Sequence, residues 1–178
     1  MRPLYTATGR FDSSLGAVWH NYVEWSGLSQ LTEVVSLDHS LCPRLVRDVL
    51  PEDWPYLVTE DFMTAFFTDV GYVQKRTNDC SARNILAVVR NPTAVPPSPQ
   101  SAPFRLEGYD LIDARGSTSA LTNCGGFPLA FHNSELSSNG LLISLERARQ
   151  VQIALRGSYP DQQHADCDVW AIFRAVTS

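Results

Sequence analysis

The sequence predicts an α+β domain in which an antiparallel or mixed sheet of four to five strands carries about three packed helices. Three observations lead there. Apolar residues recur at three- and four-residue steps in three segments, which is the period of a helix face. Other short segments are continuous apolar runs or alternate apolar with polar, as strands do. The two kinds do not follow one another in the regular order that a parallel sheet requires. With 178 residues and ordinary globular composition, residues 1–178 read as a single domain.

The first twelve or so residues lack a period and are expected to be coil. Leu15, Val18, Trp19, Tyr22, Val23 and Trp25 mark a first helix, with Ser14 as its cap and Gly27 as its stop. Leu31 to Leu37 mixes β-branched and polar residues and reads as a strand. Pro43, Pro51 and Pro55 make the next stretch irregular. A second helix is expected from Thr59, with Phe62, Phe66, Val70 and Val73 on one face and Lys75 and Arg76 in its last turn.

Asn84 to Arg90 reads as a buried strand. Residues 92–103, which hold Pro92, Pro96, Pro97, Pro99 and Pro103, read as a long loop between two neighbouring strands. Phe104 to Asp113 alternates and predicts a strand, and Gly116 to Leu121 adds another. A third helix is expected from Asn139 to Gly157, and Cys167 to Val176 closes the chain as a mostly buried strand.

The formal charge of −5 and the scattered cations (thirteen arginines, with Lys75 the only lysine) argue against a nucleic-acid or anionic-membrane partner. The N-terminus has no apolar signal core, and no apolar stretch approaches the eighteen or so residues of a membrane span. The four cysteines lie far apart without a CxxC pair, as expected of reduced thiols in a cytoplasmic protein. Phosphate-binding glycine loops, HExxH, GxSxG and SxxK are all absent.

Four constellations remain. His39 with Cys42, and His164 with Cys167, repeat an H-x-x-C spacing, and together they offer the two His and two Cys of a tetrahedral zinc site. The alternative is that each Cys fills core space. Asn123-Cys124-Gly125-Gly126 would present a cysteine nucleophile beside backbone N–H groups. His132 or His164 would be the base, with Asp166 or Asp168 orienting it; the alternative is a plain turn over a tucked cysteine. Asp110 and Asp113, with Asp161, Asp166 and Asp168, could bind a cation, but read more simply as solvated strand ends. Trp54 and Tyr56, in a proline-bounded loop, are candidate contact residues for a protein partner.

Glu60-Asp61-Phe62-Met63, Gly108-Tyr109-Asp110-Leu111, Leu121-Thr122-Asn123-Cys124-Gly125 and Asp168-Val169-Trp170-Ala171 resemble stretches of an uncharacterised bacterial protein family. The Gly-Tyr-Asp-Leu and Leu-Thr-Asn-Cys-Gly parts are also similar to immunity-type proteins, which neutralise toxins by binding them. That resemblance covers under a fifth of the chain. The function expected from these observations is non-enzymatic protein binding of an immunity or regulatory kind, without a cofactor. The alternative is an enzyme built on Cys124 or a zinc protein built on the two H-x-x-C pairs.

Overall fold

The computed structural model describes residues 2–46, 48–58, 65–113, 118–124 and 126–176. Its main sheet is built from β1 (Leu4–Gly9), β4 (Leu57–Val58), β5 (Phe66–Phe67), β6 (Arg83–Arg90), β7 (Phe104–Asp113) and β8 (Cys167–Ala175). The order across the sheet is β4-β5-β1-β6-β8-β7, and every neighbouring pair is antiparallel. A small second sheet pairs β2 (Phe11–Asp12) with β3 (Glu33–Val34). Three helices, α1 (Ala17–Ser26), α2 (Val70–Arg76) and α3 (Leu145–Ser158), complete the α+β fold. Among the described residues the main sheet therefore has six strands rather than four to five.

Alternation along the central strands divides the interior. Ile85, Ala87 and Val89 of β6 join Val169, Ala171 and Phe173 of β8 in one apolar cluster, to which all three helices contribute. Leu86 and Val88 join Trp170 and Ile172 in a second cluster on the opposite face, closed by Val35, Leu37, Phe66 and Leu141. Both faces of β6 are thus dry, which is why it reads as an uninterrupted apolar run. The same cause hides β1, which was expected to be coil. Tyr5, Thr6, Ala7 and Thr8 are all buried, so no wet face marks the strand.

Several boundaries differ from expectation for identifiable reasons. Glycines frame α1 at both ends. Gly16 is its N-cap in place of Ser14, and Gly27 ends it with a left-handed φ of 67° that sends its N–H to the Val23 carbonyl. The strand expected over residues 31–37 shrinks to Glu33–Val34. The expected helix start at Thr59, with Phe62, lies outside the described residues. Phe66 is a strand residue, and α2 begins after Asp69, whose carboxylate accepts from the Tyr72 N–H. Of the strand expected over residues 116–121, residues 116 and 117 lie outside the described residues, and the rest makes a single bridge at Ser119 followed by a turn.

Asn139 does not start α3; Ser144 caps it instead. Leu141 and Leu142, which fit the helical period, serve the sheet, since Leu142 exchanges backbone hydrogen bonds with Tyr109 at 2.8 and 3.1 Å. Finally, the loop at 92–103 does not join adjacent strands, because β8 lies between β6 and β7.

Candidate active site

Where β7 ends, three carboxylates are drawn into the interior. Asp110 and Asp113 are 0% and 2% exposed, so they are not the solvated strand ends that their sequence suggests. Asp38, on the irregular segment after β3, is also fully buried. Burying a charge demands hydrogen bonds, and Asp38 and Asp110 receive them. Asp38 Oδ1 accepts from the Ser40 and Leu41 N–H groups at 2.8 and 3.2 Å, a local turn. Its Oδ2 accepts from the Ser119 N–H at 2.8 Å and from Asn123 Nδ2 at 2.9 Å. Asp110 accepts from the hydroxyls of Ser36 and Ser119 at 2.5 and 2.6 Å, and from the Leu111 N–H at 2.8 Å.

The segment Ser119–Cys124 is folded against this acidic floor. The Ala120 N–H donates to the Leu111 carbonyl at 2.8 Å, and Tyr22 of α1 donates its hydroxyl to the Thr122 carbonyl at 2.8 Å. Cys124 then meets His164, which a 3-10 turn at Gln163–Asp166 presents just before β8. The Sγ–Nε2 distance is 2.9 Å, with Sγ also 3.1 Å from the Ser119 carbonyl. A thiol has one proton, so it donates either to the imidazole or to the Ser119 carbonyl.

The electrostatics set the resting protonation state. Burial first, then the charges of Asp38, Asp110 and Asp113, push the Cys124 thiol up to about 12. Burial pulls His164 below its ordinary value, against the opposing pull of Asp113 and Asp38. Asp110 is itself raised to about 6, chiefly by burial. At neutral pH the pair therefore rests as thiol and neutral imidazole, not as a thiolate–imidazolium ion pair.

A pocket of about 460 Å³ opens over the pair, walled by Phe127, Tyr159, Gln162 and Gln163. Phe127 packs against both neighbours, with ring centroids 4.9 Å from Tyr159 and 5.5 Å from His164. Gly126, at φ 92°, has open space where a Cβ would project.

Of the residues singled out by sequence, the structure brings Cys124 and His164 together. His132 is exposed and caps the turn at Asn133–Glu135, its N–H bonded to Glu135. Asp168 binds Arg90 and Asn91, and Asp166 is exposed. Cys42 donates its thiol to the Val34 carbonyl at 3.2 Å, and burial raises its pKa strongly. Cys167 faces Asp113 across β7–β8, and burial pushes its thiol up to about 12. Among the described residues there is no group of three or more His, Cys, Asp or Glu side chains that could hold a metal ion.

Trp54 and Tyr56 lie elsewhere, 70% and 38% exposed. Their turn is anchored by buried Asp53, which accepts from Arg76, from Tyr72 and from the Leu50 N–H. Tyr56 stacks on Tyr72 at 4.2 Å. The sequence reading missed Asp38, Ser36 and Ser119. The Asp-x-Ser spacing of Asp38 and Ser40 was the one local signal, since it favours a side-chain-capped turn. No family model, curated protein or solved structure matches this chain.

Proposed function

We propose that the chain is an enzyme of the cysteine-nucleophile type, with Cys124 attacking an acyl carbon and His164 as its general base. The observation that carries this reading is the 2.9 Å contact between Cys124 Sγ and His164 Nε2 on the floor of an open pocket. As Sγ bonds to the carbonyl carbon, its proton passes to Nε2. The imidazolium then returns that proton to the leaving amine or alcohol, and water hydrolyses the resulting thioester. Asp113 and Asp38, whose charges favour protonated His164, stabilise the imidazolium that forms. The same charges oppose a free thiolate, which keeps the resting thiol unreactive until an acyl group arrives.

The test uses p-nitrophenyl acetate as the acylating probe and mass spectrometry as the readout. Acetyl transfer concentrated on Cys124, and slowed about 10²-fold in His164→Gln, is expected of general-base catalysis. Equal acetylation of all four cysteines, or an unchanged rate in His164→Gln, would overturn the assignment.

A second reading, cytoplasmic protein binding of an immunity or regulatory kind, is favoured by Trp54. A tryptophan 70% exposed on a clamped turn is a costly surface feature and a common interface anchor. A partner of basic charge would complement the formal charge of −5. Pull-down from the native host with Trp54→Ala and Tyr56→Ala variants tests it; partner recovery that the substitutions leave untouched sinks it.

A further inference from the structure

At the end of the sheet where β1, β7 and the C-terminal end of β8 meet the start of β6, a cleft of about 940 Å³ gathers cations that are far apart in sequence. Arg10, Lys75, Arg83, Arg105 and Arg174 all line it, in a chain whose formal charge is −5. Three of these arginines are matched by carboxylates. Arg10 pairs with Asp12 and Glu33, Arg105 with Glu107, and Arg174 with both Glu33 and Glu107. Five cations thus face three carboxylates, and the excess of two resides on Lys75 and Arg83. Neither makes an ion pair among the described residues, and Arg83 Nη1 is buried without a hydrogen-bond partner.

The strand register sharpens the imbalance. Arg105 and Arg174 stand directly opposite each other on β7 and β8, a like-charge pairing that costs stability unless an anion intervenes. Glu107 supplies one, its Oε1 accepting from Arg105 at 2.8 Å and from Arg174 at 3.2 Å. Among the described residues no comparable anion serves Lys75 and Arg83. The remaining lining mixes polar Gln74, Asn78, Ser81 and Asn84 with apolar Ile85, Ala175 and Val176, and it contains no aromatic ring.

We infer that this cleft binds a small phosphorylated ligand carrying at least two negative charges, with Lys75 and Arg83 as its principal cationic contacts. Guanidinium groups match phosphate oxygens in paired hydrogen bonds, and the ammonium adds a mobile point charge. The lack of a ring on which a base could stack argues for a compact polyanion rather than single-stranded nucleic acid. The site shares no lining residue with the Cys124 pocket, so it stands whether or not the thiol is catalytic.

Isothermal titration with pyrophosphate, on the full chain in low salt, tests the inference. Expected are one saturable site, weakening as NaCl screens the charges, and about a tenfold loss of affinity in Lys75→Gln and in Arg83→Gln. Arg156→Gln, on the far end of α3, should bind as wild type does. Lys75 is exposed, so its variant reports even if Arg83→Gln perturbs folding. Absence of binding at millimolar pyrophosphate, or wild-type affinity in Lys75→Gln, overturns the inference. So does capture of a single-stranded oligonucleotide by a protein that ignores pyrophosphate.

Discussion

Ser119 holds Cys124 through its carbonyl, 3.1 Å from Sγ, while its hydroxyl donates to Asp110 at 2.6 Å. One residue therefore fixes the thiol and ties it to the buried acid beneath. Burial raises the pKa of Asp110, and its charge in turn helps raise that of Cys124, so replacing it by Asn removes both a buried charge and part of the load on the thiol. A carboxyl lifted to about 6 contributes stability that is complete below its ordinary 3.8 and is lost as pH rises through about 6. Asp110→Asn should therefore gain on wild type in urea midpoint between pH 4 and pH 7. It should also speed alkylation of Cys124 by iodoacetamide at pH 7.

The sign is opposite for His164. Its pKa is lowered, so its contribution is intact above its ordinary 6.5 and is lost as pH falls below that value. His164→Gln should lose less stability than wild type on going from pH 7 to pH 5, read from paired denaturation curves. A steeper loss in the variant would contradict a neutral buried imidazole.

Glu135 lies near 2, held there first by its hydrogen bond from Arg147. Arg147 also donates to the Ala130 carbonyl at 3.0 Å, bracing the loop that carries Phe127. The pair supports the fold above the usual carboxylate value of 4.5 and ceases to as pH approaches 2. Arg147→Ala should be destabilised at pH 7, with the gap to wild type closing near pH 2 in thermal melts.

Gly108 sits at the irregularity in β7 with φ 147°, and a Cβ there would lie 2.6 Å from the Leu142 carbonyl oxygen. Gly108→Ala should cost about 3 kcal/mol in urea unfolding, because backbone rather than a flexible side chain must yield. A loss below about 1 kcal/mol would show that the Leu142 contact is loose.

What the sequence revealed depended on how each segment meets solvent. Asn84–Arg90 announced itself because burial on both faces left an apolar run, and Phe104–Asp113 because its first residues alternate, although its second half is buried throughout. β1 could not, because its buried threonines imitate a polar loop. The leucines at 141 and 142 fit a helix and were spent on the sheet, which no local period distinguishes. Cys124 and His164 were both visible as candidates, but their pairing spans forty residues of chain. Asp38 was invisible, because its burial is created by Ser119 and Asn123, more than eighty residues away. The cationic cleft was hidden for the same reason: its five members never cluster in sequence.

The position of β8 bears on how the chain reaches this state. Among the described residues, Cys167–Ala175 is the only named strand paired with β7, and it is the second partner of β6. Until those residues emerge from the ribosome, β7 has isolated bridges to Ser119 and Leu142 in place of a full strand partner, and β6 offers an open, apolar edge. Such an edge invites pairing with other chains. The late closure also makes folding slow, because the decisive contacts join distant parts of the chain. A nascent chain halted before residue 167 would be a natural client for chaperones and a ready seed for aggregation.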